Sequence, residues 1–228
     1  MDFMYYYSGS FNYWMLVIVT LIIGLISSGL VNSRIKKYNR ISCSMGITGK
    51  EAVLQMLSYY GINNVEVRQG RNGEDFFDPK TNSITLSPHN YNNSSIGAIA
   101  TACHETGHAC QYAFSYTPMK IRGAMFPVVN FASNAWIFLL MIGIFMHIAG
   151  FTTFAIILYA LVVLYEIVTL PVEFNASNRA LTYLKTIGLP AGEVKGAKSV
   201  LNACALTYVA AALTSVLQLL YLLGQNRD

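Results

Sequence analysis

The stretch YWMLVIVTLIIGLISSGLVNSRIKKYNR, Tyr13 to Arg40, decides the fold class. Tyr13 to Val31 carries no charge and, at about 1.5 Å per helical residue, is long enough to cross a hydrocarbon core of roughly 30 Å. Tyrosine and tryptophan gather at its start, in MDFMYYYSGSFNYW, as in an interfacial aromatic belt. Arg34, Lys36, Lys37 and Arg40 follow it directly. A cleaved signal peptide would carry basic residues before the apolar run; here they come after it, so the run reads as an uncleaved anchor. The basic cluster places the next segment in the cytoplasm and the N-terminus outside.

Working outward, the rest of the chain has the same character. It is 54% hydrophobic and 11% charged over 228 residues, too apolar for an ordinary soluble domain. Three more apolar runs follow: Met125 to Ala149, Phe151 to Leu170, and about Leu201 to Leu223. Ten of the fifteen lysines and arginines lie between Arg34 and Arg122, four between Arg179 and Lys198, and Arg227 lies past the last run. Four spans with both termini outside put fourteen of the fifteen on the cytoplasmic side. The net charge of +4 is therefore set by topology and not gathered into a nucleic-acid patch, and no RNA or DNA motif is present. The expected partner is the lipid bilayer of the cell membrane, with no nucleic acid and no feature that sets an oligomeric state. Cys43, Cys103, Cys110 and Cys204 have no C-x-x-C spacing and read as reduced thiols.

Between the first two runs stands TACHETGHACQYA, Thr101 to Ala113. His104, Glu105 and His108 form an H-E-x-x-H pattern in a proline-free helix expected over Ile96 to Phe114. Residues four apart differ by about 40° around a helix, so the two imidazoles share a face, with Glu105 about 100° from His104. Zinc hydrolases use this arrangement: two neutral imidazoles hold Zn²⁺ and the neighbouring carboxylate accepts a proton from water. The bare pattern also arises by chance. Its setting favours the functional reading, because polar groups concentrate on one face and Gln111, seven residues after His104, joins the histidines there. Cys103 and Cys110 lie about 100° or more away around the helix.

The polar insert, residues 42–95, has a different texture. Thr48 and Glu51 have capping-box spacing ahead of a short amphipathic helix that Gly61 ends. Val65 to Arg68 and Ser83 to Ser87 alternate like strands, with turn residues between, which predicts a small antiparallel sheet. An edge strand near the H-E-x-x-H helix is suited to hold an extended peptide by main-chain pairing; the alternative is a purely structural appendage.

A catalytic zinc site usually has three protein ligands, and with four histidines in the chain the third is most economically a carboxylate. Glu51, Glu66, Glu74, Asp75, Asp78 and Glu193 lie in the insert or a loop. Glu173 instead opens the helix expected after Pro171, which emerges at the same membrane face as His104 and His108. His147 falls on the opposite side. Glu166, inside the third run, must face protein, water or a partner unless it sits at the cytoplasmic interface, the reading preferred here.

These residues carry a resemblance. HETGHACQ at 104–111, with LPVEFNASNRA at 170–180, Asp78-Pro79, Leu86-Ser87 and the placement of the spans, resembles the bacterial neutral zinc metallopeptidases of the YugP type over nearly the whole chain. It is more distantly similar to membrane metalloproteases that process prenylated or misfolded membrane proteins. The resemblance implies His104, His108 and Glu173 as ligands and Glu105 as the base. Two departures stand out. Phe76 and Phe77 lie where the family commonly has histidine and tyrosine, so a polar substrate contact is missing beside Asp78. Ser177 replaces the aspartate that orients a ligating histidine in the distant relatives, leaving Asn175, Ser177 or Asn178 as weaker supports. Arg179 is either an oxyanion stabiliser or an anchor charge.

The expectation is a mainly α integral membrane protein of about four transmembrane helices, with a small α+β cytoplasmic insert and the H-E-x-x-H zinc helix. Its segments are an anchor at 1–33, the insert at 34–95, the zinc helix at 96–118, a transmembrane hairpin at 119–170, the third-ligand helix and loop at 171–199, and the last span at 200–228. The expected activity is Zn²⁺-dependent endopeptidase cleavage of peptide or membrane-protein substrates at the cytoplasmic face. The alternative is a zinc-stabilised scaffold or adaptor without catalysis, which has no need of Glu105. A transporter would call for charged or broken spans, and apart from Glu166 there are none.

Overall fold

The computed structural model describes residues 2–225, with side chains from Tyr13 onward. Helix α1 (Asp2–Tyr38) is followed by α2 (Gly49–Tyr59), strands β1 (Glu66–Gln69), β2 (Phe76–Asp78) and β3 (Ser83–Leu86), and the short α3 (Pro88–Asn92). Then come α4 (Ile96–Ala113), α5 (Thr117–Phe145), α6 (Ala149–Thr186) and α7 (Ala191–Gln225). Among the described residues, α5, α6, α7 and α1 from Tyr13 onward are long and apolar enough to cross a membrane.

The chain divides into two compact units. One comprises the chain up to Ser28, Ile121–Thr169, and the chain from Thr207 onward. Here large apolar side chains such as Leu25, Phe138 and Phe145 stand exposed, a surface that costs free energy in water and none in hydrocarbon. Trp136 packs on Tyr159, whose hydroxyl donates to Gln218 at 3.1 Å. Oε2 of Glu166 is buried, so this carboxyl faces protein. His147 lies in the turn between α5 and α6.

The second unit, Gly29–Lys120 with Leu170–Leu206, carries the H-E-x-x-H residues. Its core draws Met56 from α2, Ile84 and Leu86 from β3, Ile99 and Cys103 from α4, Leu184 from α6 and Val200 from α7 into one apolar cluster. Local signals start and stop the elements. Thr48 Oγ1 accepts from Glu51 N while Glu51 Oε2 accepts from Thr48 N, the reciprocal cap expected for α2. Gly61 takes a φ of +69° just past the end of α2, a region open to glycine at no steric cost. Ser95 caps α4 by accepting from Ala98 N at 3.2 Å.

Two expectations are corrected. The sheet is mixed, ordered β1-β3-β2: β3 pairs parallel with β1 and antiparallel with β2. Three-residue β2 has no visible alternation in the sequence, yet it forms the hairpin with β3 through a turn that Asp78 closes, accepting from Lys80 N and Thr81 Oγ1. With that edge of β3 taken, β1 occupies the other, and β3 is buried throughout. The second correction concerns Pro171, which does not begin a helix but lies inside α6. Proline there removes one backbone hydrogen bond, yet the residues that follow bury Val172, Glu173, Ala176, Ser177 and Ala180, and the helix runs on. The third span and the Glu173 helix are therefore one element.

Candidate metal centre

The site is built where α4 meets α6. Gly107 makes the meeting close, because a Cβ there would lie 2.6 Å from the Ala176 carbonyl oxygen. His104 and His108, one turn apart on α4, flank this contact, and Glu173 and Ser177 flank it on α6. The two imidazole rings sit edge to face, 4.7 Å apart. Their Nε2 atoms lie 3.3 Å (His104) and 3.6 Å (His108) from Glu173 Oε2. One ligand atom from each of the three residues lies within 4.8 Å of the others. All three side chains are largely shielded from solvent.

The far nitrogens are held in turn. His108 Nδ1 and Gln111 Oε1 are 3.0 Å apart, and the amide orientation follows from Gln111 Nε2, which donates to the Val172 carbonyl at 2.7 Å and to Asn175 Oδ1 at 3.1 Å. His108 therefore donates from Nδ1 and leaves Nε2 free to ligate. Ser177 Oγ stands 3.1 Å from His104 Nδ1, in the place of an orienting carboxylate. Asn175 Oδ1 also accepts from Arg179 Nε at 2.8 Å, and the Arg179 guanidinium lies over the Phe114 ring at the C-terminal cap of α4.

Two imidazole nitrogens and a carboxylate oxygen are the donors zinc takes. Donors bound about 2.0 to 2.1 Å from a tetrahedral ion lie roughly 3.3 to 3.4 Å apart, close to the separations of Glu173 Oε2 from the two Nε2 atoms, so the residues fit Zn²⁺. The cysteines of α4 do not compete. Burial pushes the Cys103 thiol far up and Cys110 up to about 11, which keeps both protonated. Burial also pushes the Glu105 carboxyl above its ordinary range, against the pull of His104 and His108, which makes it a stronger proton acceptor when ionised. His108 is shifted up: burial opposes the charged ring, and the contacts with Glu173 and Glu105 outweigh it.

Of the candidates read from sequence, His104, Glu105, His108, Gln111, Glu173, Asn175, Ser177 and Arg179 come together at this helix pair. Asp78 is taken up by the β2–β3 turn. Phe77 is buried against the Tyr112 ring, and Phe76 is exposed. Sequence reasoning set aside Asp75, yet its carboxylate accepts from Ser87 N, Ser87 Oγ and Asn90 Nδ2 and is near enough to Glu105 to raise its pKa. No spacing rule singles it out. The close approach at Gly107 was likewise not anticipated.

A family model described as "Putative neutral zinc metallopeptidase" matches residues 13–227. The chain belongs to that family. It is also 40% identical over 192 residues, 83% of this chain and 85% of the relative, to a Bacillus subtilis (strain 168) protein described as "Putative membrane protease YugP". No solved structure matches the chain. Zinc is the metal of this family of metallopeptidases, and the three-residue cluster is a site able to hold it.

Proposed function

We propose that this protein is a zinc-dependent membrane endopeptidase that cleaves membrane or membrane-proximal proteins at the cytoplasmic face of the cell membrane. The observation that carries the reading is the convergence of His104, His108 and Glu173 beside the buried Glu105. Zn²⁺ held by the three ligands would polarise a scissile carbonyl and make water easier to deprotonate. Glu105 accepts the proton of the attacking water and then delivers it to the leaving amine. Gln111 and Ser177 keep both imidazoles turned with Nε2 inward. A non-catalytic scaffold would gain nothing from a carboxylate held at that position.

Edge strand β2 supports a mode of substrate binding. It pairs with β3 along one side and stands next to α4 through Phe77 and Tyr112. An extended peptide adding to its other edge gains main-chain hydrogen bonds, with apolar contacts from Phe76. The distribution of lysine and arginine supports an orientation with both termini outside.

The test is cleavage of a library of membrane-proximal peptides by the full-length protein, with and without zinc. Glu105→Gln should bind zinc like the wild type and lose hydrolysis, whereas equal cleavage by both proteins refutes the role of Glu105.

A further inference from the structure

Gln111 is fully buried, and its amide group is used on both sides. The carbonyl oxygen faces His108 Nδ1, and the two N–H groups reach Val172 O and Asn175 Oδ1 on α6. Val172 immediately precedes Glu173. One side chain therefore connects the ring of a ligand on α4 to the backbone that carries the ligand on α6. Here both donors cross to the partner helix, at the residue before Glu173 and at Asn175, two after it. From the other side, Arg179 Nε fixes Asn175 Oδ1, and the guanidinium rests over Phe114.

We propose that Gln111 is the positioning residue that makes α4 and α6 a single metal site. Its amide sets the His108 ring and the Glu173 backbone relative to each other, while Asn175 and Arg179 hold the amide in place. The proposal rests on the zinc-site reading of His104, His108 and Glu173. It adds that Glu173 contributes as a ligand only while Gln111 holds its helix in register. Zinc-site supports of this kind commonly account for about 10- to 100-fold in metal affinity.

The experiment is a double-mutant cycle on zinc affinity, read by competition with a chromophoric chelator. It uses the full-length protein in detergent as wild type, Gln111→Met, Glu173→Ala and the double variant. Methionine keeps the volume and removes every hydrogen bond. Gln111→Met should weaken zinc binding about 10- to 100-fold. In that background Glu173→Ala should cost only a few-fold more, far less than in the wild type, a non-additivity that a residue acting on folding alone does not produce. The Co²⁺ absorption bands of Gln111→Met should also differ in intensity from those of the wild type, reporting altered ligand geometry. If Gln111→Met does not fold, Asn175→Ala at its half-buried position carries the same test, with about a tenfold loss expected. Additive losses, or zinc affinity within about twofold of wild type in the folded variant, overturn the positioning role. A wild type that binds no zinc removes the site reading itself, and the positioning role with it; a wild type that binds zinc beside an unaffected Gln111→Met removes only the latter.

Discussion

Gly107→Ala separates two physical arguments of opposite sign. Helix propensity favours the change, since alanine in a helix interior is about 1 kcal/mol better than glycine. Packing opposes it. The new Cβ would lie 2.6 Å from the Ala176 carbonyl oxygen and 3.0 Å from both the carbonyl carbon and the Cα of that residue. Ordinary contact starts at 3.4 Å, so relief needs a shift of about 0.8 Å, the difference between 3.4 and 2.6, in backbone that close-packed interiors do not readily yield. Overpacking of this kind costs about 1 to 3 kcal/mol, so the sum is at best neutral and at worst a loss of roughly 2 kcal/mol. The larger effect falls on the metal, because ligand distances in zinc sites hold to within about 0.2 Å. A displacement several times that size between the helices of His108 and Glu173 should weaken zinc binding by at least about tenfold. Chelator competition measures the affinity, and thermal unfolding with and without zinc measures the rest. A variant that melts above the wild type and binds zinc equally well would falsify the packing argument and leave propensity in charge.

Glu173→Ala should lower the zinc content of the purified protein, and metal analysis checks it directly. Ser177→Ala removes the partner of His104 Nδ1 and should weaken zinc binding by about tenfold, with the fold intact by circular dichroism. Thr48→Ala breaks the capping box of α2 and should cost about 1 kcal/mol of stability in chemical unfolding, while leaving peptide cleavage per folded molecule unchanged.

Much of the fold was legible because its signals are local. The uncharged runs mark the spans, Thr48 with Glu51 marks the start of α2, and Ser95 marks the start of α4. Four-residue spacing put His104 and His108 on one face, and the charge distribution pointed across some sixty-five residues to Glu173. What escaped depends on tertiary context. Phe76 to Asp78 becomes a strand because β3 offers it an edge, and β1 pairs parallel along the other. Pro171 looks like a helix boundary until the burial of the residues after it is counted. Asp75 reaches the neighbourhood of Glu105 through its bonds to Ser87 and Asn90, partners that no sequence period links to it. The hydrogen bonds of Gln111 to Val172 and Asn175 required the register of two helices far apart in the chain.

The uncharged partners of the two histidines have a consequence for charge balance. Ser177 and Gln111 add no charge, so when Glu105 and Glu173 are both ionised, a state that burial opposes at Glu105, they bring −2 to the site, and a dication would cancel it. A monovalent ion would leave a buried net negative charge and a trivalent ion a positive one, each costly in a low-dielectric interior. A carboxylate behind an imidazole raises its electron donation to the metal. Without one, the two imidazoles would hold a metal with less added basicity, and the geometry set by Ser177 and Gln111 would carry more of the selection.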